Sequence, residues 1–166
     1  MSAPQTLLIV YHSHTGGSAQ MAQAAAKGAR TEAGVAVQLL PAAQAQPGDV
    51  LGAAGYLFVC PENLAAISGL MKDFFDRCYY PVLWRIEGRP YATMVCAGSD
   101  GQNAARQIAR IATGWRLQPV AEPLIVCTHA QSPEAIAAPK HIGADDLARC
   151  QDLGQALAAG LALGIF

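Results

Sequence analysis

Charge is what this 166-residue chain has least of: charged residues make up 14% of it, against about 25% in an average soluble protein. With 52% hydrophobic residues beside that, a disordered segment or a solvated charged tail is excluded. Neither sign dominates, since 11 Lys plus Arg face 12 Asp plus Glu for a formal charge of -1. Nucleic acid and anionic membrane surfaces both demand a positive face, so neither is expected as a partner. No apolar run approaches the ~20 residues that span a bilayer. The first six residues carry no Lys or Arg, and the Leu7–Tyr11 run behind them is short, which argues against a secretory leader. Five cysteines (Cys60, Cys78, Cys96, Cys127 and Cys150) form an odd set without C-x-x-C spacing. Reduced, buried thiols in a cytoplasmic protein are the expectation. His12, His14, His129 and His141 lack ligand spacing, so no metal site is expected.

What remains is an alternation of β-branched runs and Ala-rich stretches. Thr6–Tyr11 reads as a strand buried on both faces, followed by a helix from Gly17 to about Ala33 with Gly34 as its stop. Val35–Leu40 is a second strand, and Pro41–Ala54 a loop with at most a short helix around Asp49–Leu51. Tyr56–Cys60 is a third strand halted by Pro61. Behind it Ile67, Leu70, Met71, Phe74, Phe75 and Cys78 recur at helical spacing. Lys72 and Asp76, and Asp73 and Arg77, stand four apart and can pair on that helix. Tyr91–Cys96, Gln102–Trp115 and Val120–Cys127 follow as strand, helix and strand. A Pro-punctuated connection, Thr128–Ile142, leads to a last helix, Asp145–Leu163, with Asp145 as its cap. The fold class expected is α/β: one domain over residues 1–166, five parallel strands in the order 2-1-3-4-5, helices on both faces. In such a sheet ligands sit where the winding reverses, at the carboxyl ends of the first and third strands.

The segment at that place is Ser13-His14-Thr15-Gly16-Gly17-Ser18. Three hydroxyls, two glycines and the start of a helix suit an anion, which the helix dipole also favours. No Lys or Arg occurs before Lys27, so the triphosphate-binding P-loop is excluded and a single phosphomonoester fits better. A G-x-G-x-x-G dinucleotide fingerprint is absent too. A phospho-accepting receiver domain would need acidic residues where His12-Ser13 and Cys60-Pro61 stand. A Cys-dependent phosphatase needs Arg six positions after its Cys, but Cys60, Cys96 and Cys127 lead to Ala66, Gln102 and Pro133.

Ser13–Ser18 resembles the S/T-x-T-G-x-S/T phosphate loop of flavodoxin-like FMN proteins. Asp49–Pro61, Leu70–Arg77 and Ala148–Gly154 are similar to the matching stretches of NAD(P)H-dependent FMN and quinone reductases of the tryptophan-repressor-binding-protein type. The resemblance implies FMN held by three loops: Ser13, His14, Thr15, Gly16, Gly17 and Ser18; then Pro61, Glu62, Asn63 and Leu64; then Ala97, Gly98, Ser99, Asp100 and Gly101. Family members often carry an aromatic residue in the second loop, where this chain has Asn63 and Leu64. Stacking on the flavin must then come from elsewhere, or that face stays open; Trp84, Tyr79 and Tyr80 are candidates, from this subunit or a second one, although such aromatics more often pack in the core or between helices.

The function expected is an oxidoreductase that takes electrons from NAD(P)H through FMN to a quinone or other small acceptor, as a homodimer or homotetramer. No residue stands out as a general acid or base. A flavodoxin-type one-electron carrier is the alternative, although dedicated carriers are usually strongly acidic and this chain is nearly neutral. A cofactor-free binding module on the same fold is the third reading.

Overall fold

A computed structural model describes residues 3–166. Strand β1 (Gln5–Tyr11) leads into helix α1 (Gly17–Ala29), then β2 (Val35–Pro41) and the short α2 (Pro47–Gly52). Strand β3 (Gly55–Asn63) turns back as β4 (Ala66–Ile67) before α3 (Gly69–Val82) and β5 (Pro90–Ala97). Helix α4 (Gln102–Gly114), β6 (Gln118–Pro119), β7 (Leu124–Cys127), α5 (Pro133–Ala137) and α6 (Ala144–Leu163) complete the chain. The parallel sheet runs β2-β1-β3-β5, with β6 and β7 sharing the outer position beside β5. That is the 2-1-3-4-5 order, the fifth place being filled by two short pieces. Pro119 and Pro123 explain the break: neither can donate to the ladder, and between the Tyr91–Pro119 and Met94–Leu124 pairs the outer strand bulges. The single strand expected over Val120–Cys127 is corrected accordingly.

Helices α1 and α6 cover one face of the sheet, where Leu7, Ile9, Leu57, Val59 and Met94 meet Met21, Ala25 and Leu157. The two helices lie close because small residues face each other: a Cβ on Gly28 would strike the Gln151 carbonyl, and one on Gly154 would strike the Ala25 backbone. Helices α2, α3 and α4 cover the other face over an aromatic core. Phe58 stands edge-on to Phe75 at 5.0 Å, and Trp115 stands edge-on to Phe75 at 5.4 Å.

Several boundaries differ from expectation for local reasons. Pro61 does not halt β3; it pairs with Cys96 of β5, and its missing N–H falls on the side where β1 has already ended. Helix α1 stops at Ala29, where the Thr31 hydroxyl donates to the Gly28 carbonyl at 2.7 Å and turns the chain early. Within the stripe expected for α3, Met71, Phe74, Phe75 and Cys78 are buried, but Leu70 is exposed and Ile67 belongs to β4. Gly143, not Asp145, is the N-cap of α6, and Asp145 sits in its first turn. Both expected ion pairs on α3 form, Lys72–Asp76 and Arg77–Asp73, each at 2.7 Å. No helix among the described residues is long and apolar enough to cross a membrane.

Candidate functional site

The carboxyl ends of β1, β3 and β5 open on one side of the sheet, and the first loop starts there. After β1 the His12 amide still follows the sheet, donating to the Val59 carbonyl at 3.0 Å. The chain then tightens: the Gly16 amide donates to Ser13 Oγ at 3.0 Å, and Gly16 caps α1 at φ 98°, a left-handed conformation suited to glycine. Among the described residues no side chain caps this helix, so its first-turn amides lack an intrahelical acceptor. A Cβ on Gly17 would stand 2.6 Å from Cys96 Sγ, so the bare glycine makes room for the β5 thiol. Most telling is Ser18, 1% exposed, whose hydroxyl has no hydrogen-bond partner among the described residues. A buried, unmatched hydroxyl costs about 1–3 kcal/mol, so Ser18 carries an unused hydrogen-bonding capacity beside the first loop.

The second loop is a tight hairpin between β3 and β4. Leu64 and Ala65 both adopt positive φ, 50° and 59°, as a two-residue turn of this hand requires. Its tip is tied to α4: Asn103 Nδ2 donates to the Ala65 carbonyl, and the Ile67 amide donates to Gln107 Oε1 at 2.8 Å. The Glu62 carboxylate accepts from the amides of Gly101 (2.9 Å) and Ala104 (3.0 Å), serving as the cap of α4 and joining the second loop to the third. On the other side His12 Nδ1 lies 2.8 Å from the hydroxyl of buried Ser68, the N-cap of α3, which ties the base of the hairpin to the end of β1. Burial, and then the neighbouring His14, hold the His12 pKa below its ordinary value.

The third loop leaves β5 at Ala97. Gly98 lies close to the Ala130 carbonyl, and Gly101 starts α4 at φ 86° with room for no Cβ, since Ile125 Cγ2 would be 2.6 Å away. A narrow recess of ≈ 100 Å³ among His14, Thr15, Pro61, Cys96 and Ala97 neighbours an open cleft of ≈ 520 Å³ bordered by Asn63, Leu64, Gly98 and Ser99. His14, Glu62, Asn63, Gly98, Ala130 and Ile136 border both. Ser13 and the cap Gly16 lead into the start of α1, Gly17 and Ser18. Asp100 and Gly101 lie behind, where the Asp100 carbonyl faces the Cys127 thiol and the Gly101 amide is taken by Glu62.

A fourth segment also borders the crevice and was not expected there. Ala130, Gln131, Ile136 and Lys140 line it. The Lys140 amide donates to the Thr15 carbonyl at 2.8 Å, and the Gln20 side chain bridges Gly16, Lys140 and Ile142. Only the end of β7 beside β5 could have signalled this, because the composition of 128–142 has no period to read.

The aromatic residues expected to stack are elsewhere. Tyr79, Tyr80 and Trp84 lie at or beyond the far end of α3, whose 14 residues span about 21 Å away from the crevice. Trp84 is covered by the Arg116 guanidinium, 4.2 Å from its ring, and Tyr79 packs on Tyr80. Within one copy of the chain these rings do not reach the cleft. The thiols are quiet: burial pushes Cys60 up to about 12 and Cys96 to about 11, Lys140 only partly opposing it at Cys96.

Residues 41–131 match the family described as NADPH-dependent FMN reductase. A flavodoxin from Aquifex aeolicus (strain VF5) is 32% identical over 105 residues, 62% of this chain and 55% of that protein, so the match spans about half the length of this curated relative. Among solved structures, a flavodoxin from the domain Archaea superposes with a TM-score of 0.76 at 18% identity, covering 95% of this chain and 99% of that one. A WrbA-like flavodoxin from Agrobacterium tumefaciens gives 0.68 at 18% identity, covering 96% and 98%. At these identities the structural likeness speaks for the fold, which is flavodoxin-like.

Proposed function

The chain belongs to the NADPH-dependent FMN reductase family, and from that premise we propose that it holds FMN in the crevice and passes electrons from NAD(P)H to a quinone or other small acceptor. The observation that carries the reading is the orphaned Ser18 hydroxyl at the uncapped start of α1. Bound FMN would supply hydride-accepting and electron-donating chemistry; the protein's share is to bind and orient it.

The residues present suit that group. Hydroxyls of Ser13, Thr15 and Ser18, with the free amides of the first turn, would hold the phosphate as neutral donors. Glu62–Leu64, Gly98 and Ser99 border the open cleft, Pro61 and Ala97 the recess beside it, and together they would take the ring, held in register by the Glu62 bridge and the His12–Ser68 bond. Asp100 and Gly101 would support that loop from behind. Leu64, fully exposed at the hairpin tip, offers an aliphatic neighbour where relatives place an aromatic ring. A small substrate would then find room beside the ring. A formal charge of -1 also differs from the strongly acidic balance that would steer a carrier to its redox partner.

A one-electron carrier is the second reading, favoured by the Aquifex flavodoxin likeness. We read the chain as one domain that assembles as a homodimer or homotetramer. Its five free thiols suit the cytoplasm. Pure protein decides among the readings. Yellow colour with flavin bands that bleach on NADPH or NADH, without an added reductase, and recover with quinone is the result expected. Bound flavin that bleaches only with a separate reductase would select the carrier, and protein that takes up no flavin would leave a binding module.

A further inference from the structure

We infer that Lys140 is the counter-charge of the phosphate held at the start of α1, an assignment that rests on the FMN reading above. The first loop has no cation of its own, and Lys27, the first basic residue in the chain, lies on the outer side of α1 beside Gln23 and Gln151. Lys140 arrives from the other end of the sequence and is anchored at both ends of its own backbone. Its amide donates to the Thr15 carbonyl at 2.8 Å, and its carbonyl accepts from Gln20 Nε2 at 2.8 Å. The Lys140 Cβ lies 3.5 Å from where a Cβ on Gly17 would be, so the root of the side chain stands against the first residue of α1.

The ammonium group meanwhile has only neutral partners. It donates to the carbonyls of Ala135 (2.9 Å), Ile136 (2.8 Å) and Ala138 (2.6 Å), and no carboxylate pairs with it among the described residues. A phosphate dianion is a stronger acceptor than uncharged carbonyls. The four-carbon stem can turn from α5 to the phosphate while the backbone stays pinned. Lys140 thereby selects for the phosphorylated flavin over the unphosphorylated one, a distinction the neutral donors alone make less sharply.

The test titrates flavin-free protein with FMN and with riboflavin, following quenching of flavin fluorescence at pH 8, at low and high salt. Lys140→Gln is expected to weaken FMN tenfold or more, leave riboflavin within twofold, and flatten the salt dependence; Lys140→Arg recovers most of the loss. Lys140→Gln protein that binds FMN within twofold of wild type overturns this assignment alone. Equal loss of both flavins overturns it as well, since Lys140 would then act by ordering α5. Wild-type protein that binds neither flavin overturns the FMN reading and this assignment together.

Discussion

The Glu62 carboxylate accepts a hydrogen bond from the Ala104 amide at 3.0 Å across 42 residues of sequence, and its other oxygen takes the Gly101 amide. One side chain thus caps α4 and locks the second and third loops together. Glu62→Ala should leave two amides unmatched and lower stability by about 2 kcal/mol, Glu62→Gln by less, because the charge on the helix start is lost but an acceptor remains. Urea unfolding measures the stability. Flavin affinity should fall in the same order, and a Glu62→Ala protein as stable as wild type would remove the bridge from the account.

Gly17 and Cys96 are coupled by space. Gly17→Ala places a methyl 2.6 Å from Cys96 Sγ, so the first turn must shift and FMN binding should weaken at least tenfold. Cys96→Ala alone should cost little affinity, and the double variant should recover most of what Gly17→Ala loses. Additive losses would mean that the glycine is needed for some other reason.

Thiol chemistry provides a check that needs no flavin. Cys60, Cys78, Cys96 and Cys150 are buried, and burial raises the first and last to about 12 and the middle two to about 11. Cys127 is partly exposed. Native protein at pH 8 should therefore label quickly with a thiol reagent at Cys127, and at the other four only after unfolding. Peptide mapping of a short labelling reaction would show it.

The depressed pKa of His12 gives stability a pH dependence of known sign. Unfolding returns this histidine to its ordinary 6.5, so the unfolded chain binds the proton more readily than the folded one. Stability is full above about pH 6.5 and declines as pH falls through the lower folded value. Compared with His12→Asn, wild type should lose more stability between pH 7 and 5, in paired urea titrations.

Much of this was legible in the sequence because it is local. Ser13–Ser18 sets three hydroxyls, two glycines and a helix start within six consecutive residues, and alternation of β-branched runs with Ala-rich stretches implies the parallel order. What escaped was joined across the fold. Nothing near Glu62 announces that its side chain belongs to the start of α4. Nothing near Lys140 points to Thr15, since the contact exists only because β7 ends beside β5. The break between β6 and β7 was written in Pro119 and Pro123, yet the apolar run from Val120 masked it. Tyr79, Tyr80 and Trp84 are candidates for stacking by residue type, and within one chain the direction of α3 carries them away.

Ser18→Ala tests the central claim most directly, because the account predicts opposite effects on two measured quantities. Removing a buried hydroxyl that has no partner should leave the flavin-free protein as stable as wild type or more so, in thermal unfolding. The same change should weaken FMN about tenfold or more, since a bond to a charged phosphate is lost at ~1.5 kcal/mol or above. Ser18→Ala protein that binds FMN within twofold of wild type would contradict the account.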